Sequence, residues 1–275
     1  MGTEMKITIL TENTVNRRGL LAEHGLSVLV EACGRRLLFD VGQSGVYRHN
    51  ADRLGISLEE LDGIILSHGH YDHTGGLPFF PERMHPPVYI RRQAFATKLC
   101  QNADGATFRE IGIPWEKEKI PMEFRFTEEK EEIFPDIWVL GNIPLSAPEE
   151  PRGALFFTRA GEEYLPDDMP DEQLLVIRMP EGLAVFAGCA HVGILNCMGQ
   201  VERAFPGEHC RFLLAGMHLR GCGRERIRNT IEGLRRYEME TIIPLHCTGT
   251  EAIAAMRKAF GRACLPGEAG RSYEI

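Results

Sequence analysis

The sequence lacks the features that mark several large classes of protein. None of its eight cysteines forms a Cys-x-x-Cys pair, which excludes the usual zinc-ribbon and thioredoxin motifs. No apolar run approaches the roughly 20 residues that cross a bilayer, and residues 1–6 have no apolar stretch of the kind found in a secretion signal. The net charge of −8 disfavours nucleic acid and anionic membranes as partners, because both bind basic surfaces.

The remaining composition is that of an ordinary globular protein, with 43% hydrophobic and 25% charged residues. We expect one domain over residues 1–275, in which a less regular region, roughly 78–170, forms the wall of a pocket. Without a secretion signal, a cytoplasmic location with reduced cysteines is expected, most of them buried as small apolar side chains. The sequence gives no signal for the oligomeric state.

Short apolar stretches that end in polar loops recur along the chain. Strands are predicted at 5–10, 137–140 and 174–177 and as a hairpin at 26–30 and 36–39, with helical spacing at 45–54. Four further stretches each run into a histidine: 61–66 before His68, 183–187 before His191, 211–215 before His218 and 241–243 before His246. Strands that lie side by side would bring these histidines to one sheet edge, where α/β folds place their sites.

The segment from Ser67 to Gly76 concentrates metal-binding side chains. His68, His70, Asp72 and His73 fall within six residues, directly after an apolar stretch. His68 and His70 can face one metal from an extended loop, while Asp72 and His73 can turn toward a second. Imidazole and carboxylate together suit a borderline divalent cation such as zinc. A structural zinc site would instead be a closed set, usually with thiolates, so this excess of ligands indicates an enzyme.

Distant residues are expected to complete the site. His191 and His246 are predicted metal ligands because each follows an apolar strand. His218 has the same setting, as either a ligand or a substrate contact, and it is the predicted catalytic group together with Asp72. Asp40 is expected either to orient a ligand histidine or simply to form a turn. The other histidines are expected to be structural or surface residues, namely His24, His49, His85 and His209.

Two helices are predicted over 227–234 and 253–260, where apolar residues share one face. Thr248 and Glu251 have the spacing of a capping box at the start of the second helix, and free N–H groups at such a start attract anions. We hypothesise that this helix start, Thr248, Arg220 and Arg224 hold a substrate phosphate. Ordinary helix capping and surface arginines account for the same residues equally well.

The sequence His68-x-His70-x-Asp72-His73 resembles the HxHxDH motif of the metallo-β-lactamase superfamily, and Asp40 matches the strand-end Asp usual upstream of it. The resemblance implies an α/β fold, a four-layer αβ/βα sandwich of metallo-β-lactamase type with the metals at one edge of its two sheets. It implies two divalent metal ions, zinc in the first place, with manganese or iron as alternatives. Segments 23–27, 66–77, 188–196 and 246–249 resemble the subgroup named 7,8-dihydropterin-6-yl-methyl-4-(β-D-ribofuranosyl)aminobenzene-5′-phosphate synthase-like.

The chain departs from the broad superfamily at one ligand position. Many members carry a bridging Asp in a Gly-Asp pair after a strand, where this chain has Gly188 and Cys189. Asp168 and Asp171 lie roughly where another ligand histidine is expected. The ligand set of the second metal therefore stays open.

Three functions are compatible with these residues. The first is a binuclear metal-dependent transferase that acts on a small anionic or phosphorylated molecule, like the synthase of the subgroup. The second is a hydrolase of phosphodiesters, lactones or related esters, which uses the same ligands. The third is a non-catalytic ligand-binding protein on the same fold, against which the intact ligand set argues.

Overall fold

The computed structural model describes residues 5–81, 83, 85–147, 150 and 155–275, most of which lie in short strands, helices and tight loops. In chain order the strands are β1 (Lys6–Thr11), β2 (Ser27–Ala32), β3 (Arg35–Phe39), β4 (Gly63–Ile65), β5 (Val88–Ile90), β6 (Lys98–Gln101), β7 (Phe108–Glu110), β8 (Phe124–Phe126), β9 (Lys130–Phe134), β10 (Ile137–Leu140), β11 (Phe156–Ala160), β12 (Glu163–Pro166), β13 (Leu174–Met179), β14 (Gly182–Ala187), β15 (Cys210–Gly216), β16 (Thr241–Leu245) and β17 (Ser272–Glu274). The helices are α1 (Val46–Leu54), α2 (Tyr71–Thr74), α3 (Ile194–Ala204), α4 (Arg224–Arg235) and α5 (Thr250–Phe260).

The strands form two large sheets and one small one. The first sheet has the order β17-β1-β2-β3-β4-β5-β8, and the second has the order β16-β15-β14-β13-β10-β9. The predicted hairpin at 26–30 and 36–39 is confirmed as β2 and β3, and the strand predicted at 61–66 is the shorter β4. The first sheet takes most of its strands from the N-terminal part of the chain and the second from the C-terminal part, while the middle region adds two strands to each.

The two large sheets pack face to face between helical layers, as strand alternation requires. In β14, Leu183, Val185 and Ala187 belong to the core shared with α3, α4 and α5. Ala184 and Phe186 point the other way, into the core between the two sheets. The first sheet has its own outer core, which includes Tyr47 and Ala51 of α1. The predicted four-layer αβ/βα sandwich is therefore confirmed.

Parallel strand pairs bring the predicted site residues to one edge. β3 pairs in parallel with β4, and β14, β15 and β16 are mutually parallel, so their carboxyl ends point the same way. Residues just beyond those ends adopt left-handed backbone, with φ of 57° at Asp40, 46° at His218 and 53° at His246. Such conformations cost energy in non-glycine residues and cluster at functional sites. The chain thus turns sharply where each polar side chain is presented.

The capping box predicted at Thr248 and Glu251 is wrong. The last helix begins at Thr250 with Gly249 as its N-cap and without a side-chain cap. Gly249 has a φ of 80°, so the chain turns between Thr248 and the helix. The Thr248 hydroxyl instead accepts the Met217 N–H at 3.0 Å and donates to the Ala215 carbonyl at 3.3 Å. Thr248 therefore ties β16 to the loop that carries His218.

The middle of the chain builds the small third sheet, in the order β12-β11-β6-β7. Phe156 of β11 lies over the site edge, with its ring centroid 5.4 Å from that of His70 and 4.9 Å from that of His191. This sheet therefore covers part of the polar edge. None of the helices in the described ranges combines the length and the apolar character needed to cross a membrane.

Candidate metal centre

His68, His70 and His191 form a compact group that we call the three-histidine cluster. Nε2 of His68 lies 3.0 Å from Nδ1 of His70 and 3.2 Å from Nε2 of His191. Burial lowers the pKa of His70 to about 3 and holds the pKa values of His68 and His191 well below their usual range. All three are therefore neutral imidazoles at physiological pH, which is the form that binds metal.

Asp40 fixes the orientation of two ligand histidines from behind. Its carboxylate accepts the Ser67 N–H and the Ser67 hydroxyl, both at 2.7 Å, and lies 2.7 Å from Nδ1 of His73. The Ser67 hydroxyl in turn lies 2.9 Å from Nδ1 of His68. With a proton on Nδ1, His68 presents the lone pair of Nε2 to the site, and His73 does the same once it has released its Nε2 proton. Of its two predicted roles, Asp40 has the orienting one in the structure.

Asp72, His73 and His246 form a second group, the aspartate cluster. Oδ2 of Asp72 lies 3.3 Å from Nε2 of His246 and 3.9 Å from Nε2 of His73. Nδ1 of His246 lies 2.9 Å from the side-chain oxygen of Asn13, which holds that ring with Nε2 toward Asp72. The predicted ligands thus divide into two neighbouring groups, and the ring centroids of His68 and His73 are 4.3 Å apart.

The aspartate cluster is charged where the three-histidine cluster is neutral. Burial acts to lower the pKa of His73, but the carboxylates of Asp40 and Asp72 outweigh it and raise the value to about 9. Burial opposes ionisation of Asp72, yet His73 and the neighbouring His24 and His246 hold the Asp72 pKa well below its usual range. Burial lowers the pKa of His246 to about 4. This group therefore combines the imidazolium of His73 with the carboxylate of Asp72.

His24, expected to be a structural or surface residue, is exposed at the surface and also lies at the site. Its Nε2 is 3.2 Å from Oδ2 of Asp72, and its ring centroid is 5.0 Å from that of His246. Its side chain is 44% exposed, which places it at the mouth of the centre. Sequence reasoning missed it because no strand precedes it; its place between Glu23 and Gly25 in a segment shared with the subgroup was the available signal.

Two of the eight cysteines also line the centre. Sγ of Cys189 lies 3.1 Å from Nε2 of His73, and Cys189 groups with His68 and His73 as potential metal ligands. Cys247 approaches the same region beside Cys189 and His246. Both thiols are buried, as expected, but they are more than apolar filling. Cys189 thus occupies the neighbourhood in which many superfamily members have the bridging Asp.

Buried carboxylates hold the loops that carry the histidines. Asp171 accepts the Gly69 N–H at 2.7 Å, between His68 and His70. Glu172 accepts the backbone N–H of His191 at 2.8 Å, and Glu12 accepts that of His246 at 2.7 Å. A buried carboxylate requires such donors. Each ligand-bearing loop is thus fixed by an ionisable group that does not itself face the metal site.

Of these carboxylates, the sequence indicated only Asp171. Glu12 directly follows β1, Glu172 lies two residues before β13, and both are almost fully buried. An acidic residue close to an apolar strand was the available signal, because acidic groups are rarely buried without partners. Lys98 was missed as well; it is buried and pairs with Asp171, and with Asp167 at 2.8 Å.

Three other predicted site residues are exposed to solvent near the metal centre. His218 is exposed, with its ring centroid 4.6 Å from that of His191. Asp168 is exposed and lines a small cavity together with His191 and Phe156. Arg220 is exposed and donates its backbone N–H to the Cys247 carbonyl at 3.2 Å.

Arg224 and Thr248, both predicted to contact a substrate phosphate, differ in exposure. Arg224 is exposed at the first position of α4. Thr248 is fully buried and its hydroxyl already has two partners. Thr248 is therefore a positioning residue, and its predicted alternative role as a substrate contact is wrong.

The three-histidine cluster fits a divalent metal ion. Metal–nitrogen bonds of about 2.1 Å at right-angled to tetrahedral geometry put two ligand nitrogens about 3.0–3.4 Å apart, which matches the spacings around His68. Nε2 of His246 is buried without a hydrogen-bond partner, an arrangement that costs free energy unless another group engages the atom. The donors present therefore suit a metal of the zinc type.

A mixed α/β sandwich with a histidine-rich, metal-binding edge defines the class of protein. The family model for the metallo-beta-lactamase superfamily matches residues 21–192, and the chain belongs to that superfamily. The fold of this superfamily implies divalent metal binding, and the clusters of His, Asp and Cys at the sheet edge are the candidate sites.

Individual proteins similar to this chain match most of its length. The chain is 30% identical to the uncharacterised protein MJ0448 of Methanocaldococcus jannaschii over 91% of this chain and 93% of that one. It is 29% identical, over 84% and 83% of the two chains, to the 7,8-dihydropterin-6-methyl-4-(beta-D-ribofuranosyl)-aminobenzene-5'-phosphate synthase of the same organism. The solved structure of Tm1679, described as a metal-dependent hydrolase of the beta-lactamase superfamily, superimposes with a TM-score of 0.87 at 31% identity, over 98% of this chain and 99% of that one.

Proposed function

We propose that this protein is an enzyme with two divalent metal ions, zinc in the first place, that acts on a small phosphorylated molecule. Its proposed reaction is a transfer like that of its pterin-related synthase relative. The observation that carries the proposal is the adjacency of two ligand clusters, with the centroids of His68 and His73 only 4.3 Å apart. Two-metal sites hold their ions about 3.5–4 Å apart, a spacing that neighbouring clusters of this kind can provide.

The roles of the side chains follow from their positions. Bound ions would supply Lewis acidity toward phosphate oxygens and lower the pKa of a coordinated water. Asp40 and Asn13 keep Nε2 of His73 and His246 aimed at the site. His218, exposed beside His191, is placed to exchange a proton with the reacting molecules. Phe156 covers the three-histidine cluster and limits the access of water from that side.

For transfer, an amine nitrogen attacks the carbon that carries a diphosphate. The carbon–oxygen bond breaks as the carbon–nitrogen bond forms, and the diphosphate leaves with the electron pair. The proton lost from the amine passes to His218. This assignment gives His218 a role for which an exposed imidazole at the mouth is suited.

Phosphate recognition is proposed at the start of α5. Gly249 packs on Arg220, such that a Cβ at Gly249 would lie 2.9 Å from Cα of Arg220. Arg220 therefore stands beside the first N–H groups of the helix, which attract anions. Arg224 is the second proposed contact, from the start of α4.

A cavity next to the metal-binding loop offers room for the rest of a substrate. It has a volume of about 500 Å³ and is lined by Tyr71, Phe95, Glu110 and Trp115, among others. Tyr71, which directly follows His70 in the sequence, and Ala94, on which Gly69 packs, are among its lining residues. Aromatic walls and a carboxylate suit a flat heterocycle with N–H donors, which is consistent with a pterin-like substrate.

The experiment is metal analysis followed by a comparison of two reactions. Protein purified without chelators is expected to hold two equivalents of metal and to release diphosphate from a dihydropterin-methyl diphosphate only when the aminobenzene ribofuranosyl phosphate is present. Metal well below one equivalent, with no recovery on adding zinc or manganese, would contradict the proposal. For the phosphate contacts, the Arg220→Ala/Arg224→Ala double variant should lose at least about tenfold in substrate affinity, whereas the exposed helix control Arg228→Ala should not.

Hydrolysis is the second candidate. His24 is 44% exposed and His218 is exposed at the mouth, so water can reach the proposed reaction site. In this version water replaces the amine as the nucleophile. Release that is independent of the amine, or turnover of a generic phosphodiester such as bis(p-nitrophenyl) phosphate, would favour it over transfer.

A further inference from the structure

His24 lies on the open side of the aspartate cluster, in the segment between β1 and β2. Its Nε2 atom and Nε2 of His246 lie 3.2 and 3.3 Å from the same oxygen, Oδ2 of Asp72. Nε2 of His73 is 3.9 Å from that oxygen. Three imidazole nitrogens thus surround one carboxylate oxygen, and His24, Asp72 and His246 together form a group of the size that holds a metal ion.

The position of His24 is fixed by the chain on both sides of it. The Glu23 carboxylate accepts the N–H groups of Gln43 at 3.1 Å and Ser44 at 3.3 Å. On the other side, the Leu26 N–H donates to the Asp72 carbonyl at 3.2 Å. Gly25 packs so closely that a Cβ there would lie 2.8 Å from the same carbonyl oxygen. These contacts join the segment to the Asp72 loop, so His24 is held beside the carboxylate although its side chain is partly exposed.

One asparagine orients both outer imidazoles. The Asn13 side-chain oxygen lies 2.9 Å from Nδ1 of His246, and its amide nitrogen lies 3.4 Å from Nδ1 of His24. Both rings therefore turn Nδ1 toward Asn13 and Nε2 toward Asp72. An outer group that accepts the N–H of the second ring nitrogen is typical of metal-ligating histidines. Asn13 does this for His246, whereas toward His24 its amide group donates and positions the ring. Nε2 of His246, buried and without a hydrogen-bond partner, is aimed at the same point.

We propose that His24 is a protein ligand of the second metal ion and completes a set of four with Asp72, His73 and His246. The proposal rests on the two-metal centre of the proposed function. Because Cys189 stands where the usual bridging Asp would be, the ligand set of the second metal was left open. His24 supplies a fourth protein donor from the opposite, solvent-facing side. Three imidazoles and one carboxylate form a donor set that zinc accepts.

The test is a metal titration of the chelator-stripped full-length protein, with cobalt(II) as a spectroscopic probe and zinc for affinity. His24→Ala should keep the first metal with unchanged affinity and lose about 100-fold in affinity for the second. The visible cobalt spectrum of the second site should change with it. His209→Ala, which removes another exposed histidine, is the matched control and should leave both sites as in the unaltered protein.

Exogenous imidazole separates ligation from a structural role. Because His24 is partly open to solvent, added imidazole should enter the space in His24→Ala and restore the cobalt spectrum and the affinity of the second site. Retention of both metals by His24→Ala with an unchanged cobalt spectrum would overturn the proposal, as would a loss that imidazole does not restore. If the unaltered protein takes up only one equivalent, the two-metal centre itself fails and this inference falls with it; two equivalents that persist in His24→Ala would refute the inference alone.

Discussion

The three-histidine cluster and the aspartate cluster lie side by side at one sheet edge but differ in charge. The first consists of imidazoles that burial keeps neutral, including His70 with a pKa of about 3. The second contains an ionised Asp72 and a His73 whose pKa is raised to about 9. The difference comes from Asp40 and Asp72, since both clusters are buried alike. Neighbouring carboxylates, rather than depth, thus decide which site carries a proton before metal binds.

This contrast assigns the clusters different tasks. A neutral, closed set of nitrogens binds a cation without first releasing a proton, so the three-histidine cluster should bind the first and tighter metal. The aspartate cluster must release the proton of His73, and it opens to solvent through His24. It should therefore hold the weaker and more adjustable metal.

The largest expected effect comes from removing the centre of the three-histidine cluster. Nε2 of His68 is the atom that both His70 and His191 approach. His68→Ala should abolish tight binding of the first metal and lower kcat/KM on the order of 1000-fold, since a lost metal forfeits several kcal/mol of transition-state stabilisation. Metal analysis and steady-state kinetics measure both; His49→Ala, on the exposed face of α1, is the control. If this variant still bound one metal tightly and turned over normally, the three-histidine cluster would not be the site of the tighter metal.

Lowering the pH should weaken metal binding at the aspartate cluster more than at the three-histidine cluster. Metal must displace the proton that His73 holds up to about pH 9, so affinity at the aspartate cluster should fall about tenfold per pH unit, or about 100-fold from pH 9 to pH 7. His70, with a pKa of about 3, imposes no such competition. Metal titrations at pH 6, 7, 8 and 9 measure this, and a parallel loss at both sites would contradict it.

The raised pKa of His73 should also make the stability of the metal-free protein depend on pH. The folded pKa of His73 lies above its ordinary value of 6.5, so the folded state binds the proton more tightly. The stabilisation is complete below about pH 6.5 and is lost as pH rises toward 9. Denaturant titrations of the stripped protein over that range give the sign directly.

Asp40→Asn tests whether the orientation of His73 matters as much as its presence. The amide keeps the size of the carboxylate but loses the charge and one acceptor, so Nδ1 of His73 and the Ser67 hydroxyl no longer share a strong acceptor. Metal affinity at the aspartate cluster should drop 10- to 100-fold, in the range of about 10–100-fold known for such outer partners. Asp62→Asn is matched, because Asp62 accepts the Arg36 N–H at the other end of the same strands; equal losses in both variants would point to general destabilisation.

Much of the fold was predictable because it follows from local pattern. Apolar stretches such as those before His191 and His246 form strands, and the loop after each strand must lie at a sheet edge. The motif residues His68 to His73 are adjacent in sequence, so their grouping needed no knowledge of the fold.

The support of the site was not predictable in the same way, because it consists of long-range contacts. Glu12 meets the backbone of His246 across 234 residues, and His24 meets Asp72 only because Gly25 and Leu26 dock on its loop. Neither contact leaves a periodic trace in the sequence. The failed capping box has a local cause instead: the left-handed Gly249 turns Thr248 away from the helix that it precedes.

The smallest expected effect concerns that same threonine, which is buried and connects the end of β16 to the loop that carries His218. In Thr248→Val the buried N–H of Met217 loses its acceptor, and a buried donor left without a partner costs about 1–3 kcal/mol. Denaturant unfolding should show this loss, whereas Thr250→Val at the exposed first position of α5 should change little. Because Met217 immediately precedes His218, turnover should fall modestly while the affinities of both metals stay unchanged. A change in metal affinity would mean that the β15 and β16 ends are coupled to the aspartate cluster through more than the position of His246.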